Sequence, residues 1–322
     1  MRLLFLTILF ALAACGSNGE TRSLADKTLN VPQNVWTEVW ADEFDSPTLD
    51  DTKWKPEVSC WGGGNDERQC YTGRSENVSV KGGYLLLSAR AENYTAQTYP
   101  GGHSNDNGET NTQSYTSGKV KSLGLASWKY GRFEAKMKLP KGQGTWPAFW
   151  MLSESDSYGT WPLSGEIDIL EAVNLGASCP DCEGGIGENR SIAALHFGDA
   201  WPNNTFHSTK STLPKGVDDW HVFAVEWGKT RIDWFVDDQK IYSLSVDKWY
   251  TGAVDKTENP YAPFDKAFYV MLNLAVGGGL SEKNNDKGLE PNSFPAELLV
   301  DWVRVHQCLD DLETGMACLT DG

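Results

Sequence analysis

The chain reads as an all-β protein, a sandwich or barrel of short strands. Three observations lead there. Apolar residues recur in short runs, the clearest of them alternating with period two. No long stretch keeps a helical period. Gly, Asn, Asp and Pro fill the gaps between runs. A chain of 322 residues has room for one large domain or two small ones, and a single sandwich of roughly 200–250 residues is ordinary. No internal repeat divides it.

Taken in order, the patterned region opens at Trp36. Strand-like runs follow at 78–80, 84–89, 118–120 and 131–139, the last with the cleanest alternation. Further runs cover 221–227, 231–237, 240–242, 268–274 and 298–305, with Asp237-Asp238 as a turn between two of them. Segments 94–114, rich in Asn, Gly and Thr, and 174–189 read as surface loops. Residues 16–34 are polar and aperiodic, as a tether would be.

Composition narrows the function. The formal net charge is −16, which argues against nucleic acid, since its binding needs a basic footprint, and more weakly against anionic polysaccharides. A neutral glycan remains compatible. Fourteen Trp residues outnumber the twelve Phe and eleven Tyr. An indole N–H needs a partner when buried, so about half of the Trp residues are expected in the core and the rest on surfaces that stack on flat ligands such as sugar rings.

The N-terminus carries an address. Met1-Arg2 is followed by an apolar run from Leu3 to Ala14, too short to span a bilayer but suited to a signal-peptide core. The run ends Leu12-Ala13-Ala14-Cys15-Gly16, which resembles the bacterial lipobox. That resemblance implies cleavage after residue 14 and a lipid on Cys15. Gly16 is not the Asp that marks inner-membrane retention in some bacteria, so the outer membrane or cell surface is the expected location. Of seven Cys, this leaves six: Cys60, Cys70, Cys179, Cys182, Cys308 and Cys318. An even set in an exported protein reads as disulfides; sequence-close pairing is one of 15 connectivities. Cys179-Pro180-Asp181-Cys182 lies in no βαβ pattern, so a loop staple is favoured over a redox motif, and no His stands near a Cys pair at zinc-ligand spacing.

The chemistry concentrates in Gly165-Glu166-Ile167-Asp168-Ile169-Leu170-Glu171. In a strand, Glu166 and Asp168 share one face while Ile167 and Ile169 point into the core. Strict alternation would bury Glu171. A β-bulge near Ile169-Leu170 returns it to the acid face, and bulges are enriched beside active sites. Two carboxylates flanking a bond are what glycoside cleavage needs, ~5–5.5 Å apart in a retaining enzyme. Straight strand would separate the two Glu Cα atoms by ~16 Å, so the bulge and the side chains must close the gap. Asp168 between them can hydrogen-bond Glu166 and split the pKa values.

These residues resemble the Glu-x-Asp-x-x-Glu signature of glycoside hydrolase family 16, in the longer form of its laminarinase-like members. The resemblance extends over most of residues 36–307: Trp40-Ala41-Asp42-Glu43-Phe44-Asp45, Asn65-Asp66-Glu67-Arg68-Gln69-Cys70-Tyr71-Thr72, Tyr130 to Ala135, Trp146-Pro147-Ala148-Phe149-Trp150-Met151-Leu152, His196-Phe197-Gly198 and Leu272 to Gly278. Arg68 and Cys70 fall at positions that vary within the family's segment, and the resemblance departs at Phe197, where Tyr is usual.

The resemblance implies a β-jelly-roll sandwich of two antiparallel sheets with a concave cleft, over residues 35–308, followed by a C-terminal tail at 309–322. It implies Glu166 as nucleophile, Asp168 as assistant and Glu171 as acid/base. Asn65, Arg90 and Asn273 would contact sugar hydroxyls, Trp128, Trp146 and Trp150 would stack on sugar rings, and His196 would stand beside the acid/base, with Glu67 near the cleft. Core packing is the competing reading for Trp128, Trp146, Trp150 and His196, and solvation of a strand end for Arg90. A structural calcium away from the cleft would take Glu43, Gly83 and Asp301, partly through backbone oxygens; for Asp301 the competing reading is a side chain that simply faces water. Catalysis itself needs no cofactor. The expected activity is retaining endo-hydrolysis of β-1,3-glucan of the laminarin type, with mixed-linkage glucan as an extension, by a lipid-anchored monomer. A galactan hydrolase of the agarase or carrageenase type is the runner-up. A glucan-binding protein without activity is the reading from a different class; the three acids count against it.

Overall fold

A computed structural model describes residues 36–185 and 187–320. The signal stretch 1–14, Cys15 and the tether 15–34 lie outside them. Seventeen strands are formed among the described residues: β1 (Thr37–Asp42), β2 (Lys55–Pro56), β3 (Gln69–Tyr71), β4 (Val78–Lys81), β5 (Tyr84–Gln97), β6 (Thr110–Ser117), β7 (Lys119–Lys121), β8 (Gly131–Lys138), β9 (Thr145–Ser153), β10 (Glu166–Glu171), β11 (Arg190–Gly198), β12 (Asn204–Thr212), β13 (His221–Trp227), β14 (Arg231–Val236), β15 (Gln239–Ser245), β16 (Phe268–Val276) and β17 (Ala296–Gln307). The one α-helix among these residues is a single turn, α1 (Gly278–Ser281).

The strands form two sheets packed face to face, a jelly-roll sandwich. The larger runs β15-β14-β13-β8-β17-β5-β6-β3, with β1 beside β17 and β4 beside β5; the smaller runs β12-β11-β10-β9-β16-β7-β2. All pairs are antiparallel except β3 with β6. Period-two alternation turns one face of each sheet inward. Ile167, Phe149, Met151, Val270 and Leu272 from the smaller sheet meet Phe133, Val225, Leu87, Trp234 and Val300 from the larger in one buried cluster. Trp36, Trp54, Trp146, Trp227, Trp234, Trp249 and Trp302 are buried, half of the fourteen.

Three local features differ from or refine the expectations. The loop expected at 94–114 is a loop only over 98–109; its two ends are strand, β5 and β6 pairing from Tyr94↔Gln113 to Gln97↔Thr110. Polar cross-strand contacts such as Thr95 to Thr112, 2.7 Å between hydroxyls, hold this hairpin, so it shows no apolar alternation to betray it. All three sequence-close disulfides form, Cys60–Cys70, Cys179–Cys182 and Cys308–Cys318. The residues expected as a tail fold back instead. Cys308–Cys318 closes the turn, Leu319 is buried, and the Thr320 N–H donates to Glu226 at 2.9 Å. Glu226 also accepts from Trp36 at 3.2 Å and pairs with Arg132 at 3.0 Å, so one buried carboxylate ties both ends of the described chain.

Candidate active site

β10 lies between β9 and β11 in the smaller sheet. It pairs with β9 in register until Asp168↔Trp150, then resumes at Leu170↔Phe149. Against β11 the register runs to Asp168↔Ala194 and resumes at Glu171↔Ile192. The bulge thus sits at Ile169-Leu170. Both of those side chains are buried in the core, and Glu166, Asp168 and Glu171 share the outer face. Gly165 lets the chain enter: its φ is +80°, and a Cβ there would come within 2.7 Å of the Phe264 ring. At the register break the Asp168 main-chain oxygen accepts the indole N–H of Trp234, from the opposite sheet, at 2.9 Å.

Each glutamate is held by an indole. Trp146 donates to Glu171 Oε1 at 2.9 Å, and Trp161 donates to Glu166 Oε2. His196 stands opposite Glu166 on β11, with Nε2 3.3 Å from Asp168 Oδ2. One polar atom each from Glu166, Asp168 and His196 lie within 4.8 Å of one another. Burial pushes the Glu166 carboxyl up to about 8, and the neighbouring Asp168 adds to this, while His196 and Trp161 oppose it. Burial likewise raises Asp168, against the pull of His196. It raises Glu171 to about 7 against the Trp146 hydrogen bond. Burial alone would lower His196, but the Asp168 contact and the surrounding carboxylates lift it to about 10. The imidazole is therefore a cation at neutral pH, and the cluster holds protons that three separate acids would release. This set can supply a nucleophilic carboxylate and a proton donor on one face.

The other expected residues fall differently. Trp150 is half-buried on the acid face of β9 and donates to Asn273 Oδ1 at 2.6 Å. Asn273 is 6% exposed, and its amide also donates to Tyr71 OH at 3.0 Å, which donates to Glu67 Oε2 at 3.3 Å. Both ends of Asn273 are thus engaged within the protein, and it orients Trp150. Trp146 is 8% exposed and packs with Val173 and Ala275; its N–H aims Glu171, and its ring offers little stacking surface. Asn65 is exposed just past the end of β16, with its main-chain oxygen accepting from Gly279 N at 2.7 Å and its side-chain amide donating to Glu67 Oε1 at 3.4 Å. Trp128 is half-buried and packs edge-on against Trp40 and Phe133, with ring centroids 5.4 Å and 6.0 Å apart, so part of it is core. Arg90 stands exposed on β5 opposite Thr116, in the larger sheet and not on the strands flanking β10.

Sequence reasoning missed Trp161. Its signal was its place, in a Gly- and Ser-containing loop five residues before Glu166. Phe206, a lone aromatic in the polar strand β12, stacks on His196 with ring centroids 5.3 Å apart. Of the residues expected to hold calcium, Asp301 lies 3.3 Å from Lys136 and Glu43 2.8 Å from Arg304.

Known proteins resemble this chain in sequence and fold. Residues 35–308 match the family model described as Beta-porphyranase A-D, GH16 domain. The chain is 37% identical over 282 residues to glucan endo-1,3-beta-glucosidase A1 of Niallia circulans, covering 84% of this chain and 37% of that protein. It is 36% identical over 307 residues to a beta-glucanase of Rhodothermus marinus, covering 94% of each. The crystal structure of the laminarinase from Rhodothermus marinus superposes with a TM-score of 0.67 at 37% identity, covering 84% of this chain and 97% of that one.

Proposed function

Because the chain belongs to glycoside hydrolase family 16, we propose that it cleaves β-1,3-glucan of the laminarin type internally and with retention, with mixed-linkage β-glucan as a further substrate. The observation that carries this is the bulge that sets Glu166 and Glu171 on one face, each held by an indole N–H. The ionised Glu166 carboxylate attacks the anomeric carbon as the glycosidic bond breaks. Glu171 gives its proton to the leaving oxygen. Glu171 then takes a proton from water, whose oxygen attacks the same carbon and releases Glu166. Asp168 receives the proton it shares with Glu166 when the nucleophile ionises, and the His196 cation offsets the charge left in the cluster. No cofactor takes part.

The glucan assignment draws on the bulged form of the motif, on His196, and on the names of the similar enzymes. The second reading, a galactan hydrolase, draws on the porphyranase name of the matching family model. Reducing-end release from laminarin, agarose, carrageenan and porphyran decides between them. Laminarin is the expected substrate, and a folded protein that binds glucan but releases nothing would be a binding protein instead. Glu166→Gln should abolish release; full activity in that variant would overturn the nucleophile assignment.

Lipobox-like residues support export and lipidation at Cys15, with attachment to the outer membrane or cell surface. Labelled fatty acid should enter the wild type and not Cys15→Ser. Glu43, Gly83 and Asp301 support a structural calcium in competition with Lys136 and Arg304; addition of calcium should raise Tm and a chelator reverse it. The chain acts as a monomer, which light scattering would check.

A further inference from the structure

β12 is the edge of the smaller sheet, two strands from the acids. Its side chains are polar apart from one, Phe206, which is 56% exposed. Phe206 lies directly across from His196, and the two rings stack with centroids 5.3 Å apart at 27°. On its other side His196 meets the Trp161 ring at 6.2 Å, and Trp161 is itself 41% exposed. Three rings thus run from the Glu166 carboxyl outward to the sheet edge. Phe206, Ser208 and Lys210 share the outer face by alternation, and all three are exposed.

An exposed phenyl ring on a polar edge strand contributes nothing to the core, which is closed by other side chains, and loses free energy in water. A hexose ring offers a flat C–H face that an aromatic ring can cover, with hydroxyls around it for partners such as Ser208. The wall is continuous with the acid cluster, so a chain threading across β10 passes over it. On the far side of β10 the half-buried Trp150 faces the same surface.

We propose that Phe206, backed by His196 and flanked by Trp161, is a stacking platform for a glucosyl residue on the β11–β12 side of the bond cleaved, and that it makes turnover depend on substrate length there. The proposal rests on the glucanase reading. It names the occupant as the substrate's own chain.

The experiment compares wild type, Phe206→Ala and Phe206→Tyr on laminarin oligosaccharides from the trimer to the hexamer, with the reducing end labelled to show which bond breaks, and with pH profiles on each. The platform predicts that Phe206→Ala loses about tenfold in kcat/KM on the hexamer and under about twofold on the shortest oligosaccharide cut. It also predicts a shifted cleavage position, an unchanged pH profile, and recovery in Phe206→Tyr. If Phe206 only shields the imidazole, all lengths lose equally and the pH profile moves, which overturns the platform. Unchanged kinetics overturn it too. A wild type that cleaves none of these oligosaccharides removes the glucanase reading and this proposal with it, an outcome distinct from a length effect missing in an active enzyme.

Discussion

The Trp234 indole crosses the sandwich to bond the main chain of Asp168, Nε1 to oxygen at 2.9 Å. Trp234 is fully buried in the larger sheet; Asp168 stands at the register break of β10. A bulge that sets catalytic geometry is thus held from behind, through the core, by a residue that touches no substrate. Trp234→Phe keeps most of the ring and removes the donor. The buried oxygen left without a partner should lower stability by about 1–3 kcal/mol in urea unfolding. Loosening the bulge should also lower kcat by about tenfold or more with little change in KM. A variant that loses stability alone would show that the bulge holds without the indole.

Azide separates the roles of the two glutamates. Glu166→Ala with azide should release a glycosyl azide of inverted configuration, because azide attacks from the vacated nucleophile face. Glu171→Ala with azide should release the retained anomer from a glycosyl-enzyme formed on Glu166. Proton NMR of the product reads the anomer. Without azide, loss of the general acid should lower kcat on laminarin by about 10²–10⁴.

His196 sets where the activity profile sits. Its positive charge lowers the carboxyls of both Glu166 and Glu171. In His196→Gln both limbs of the kcat/KM profile against pH should therefore move upward: the acid limb because the nucleophile ionises later, the alkaline limb because the acid/base keeps its proton longer. A profile that shrinks without moving would mean that the imidazole acts by contact and not by charge.

Stability should peak on the mildly acidic side of neutrality. Glu166 and Glu171, raised from 4.5 to about 8 and about 7, contribute fully below 4.5 and lose that contribution as pH rises through those values. His196, raised from 6.5 to about 10, loses its share as pH rises across that window. On the acid side, the Glu57 contribution is present above 4.5. Burial would raise Glu57, but Lys119 and Lys121 outweigh it and hold it at about 2, and its share is lost towards that pH. His306, held at about 4 chiefly by burial, loses its contribution from 6.5 downward. Tm measured from pH 3 to pH 10 should fall in both directions, and the double variant Glu166→Gln, Glu171→Gln should flatten the alkaline slope.

Removal of residues 309–322 should destabilise the domain although the family match ends at 308. It deletes the Cys308–Cys318 bridge and strips Thr320 from the buried Glu226. Loss of such a disulfide typically costs about 2–5 kcal/mol. Thermal unfolding of the truncated and full-length proteins measures this, and an equal Tm would show the tail to be passive.

Much of this was legible in the chain because alternation is a local signal. Residues 131–139 announced β8, and the odd spacing of Glu171 from Asp168 announced the bulge. What stayed hidden were relations between distant segments. No pattern near Trp234 or Asp168 foretells a bond across the core. Asn273 is a sugar contact by the family resemblance alone, and nothing near it in the chain announces that its oxygen accepts from the Trp150 indole while its amide donates to the Tyr71 hydroxyl. The far half of the β5–β6 hairpin, from residue 90 of β5 onward, stayed hidden because its side chains are mostly polar, leaving little contrast to read.

The extra residue in β10 and the indole facing it form a single mutational unit. Deleting Ile169 would leave the three acids at i, i+2 and i+4, on one face of an ordinary strand, and the Trp234 N–H would lose the oxygen turned towards it. Replacing Trp234 alone strands that oxygen instead. Either change by itself should be worse than the two together, a coupling that a double-mutant cycle would register as strong non-additivity. A lineage could therefore move between the long and short forms of this acid motif only by altering both sheets, which makes spacing along one strand a matter of what the other sheet will accommodate.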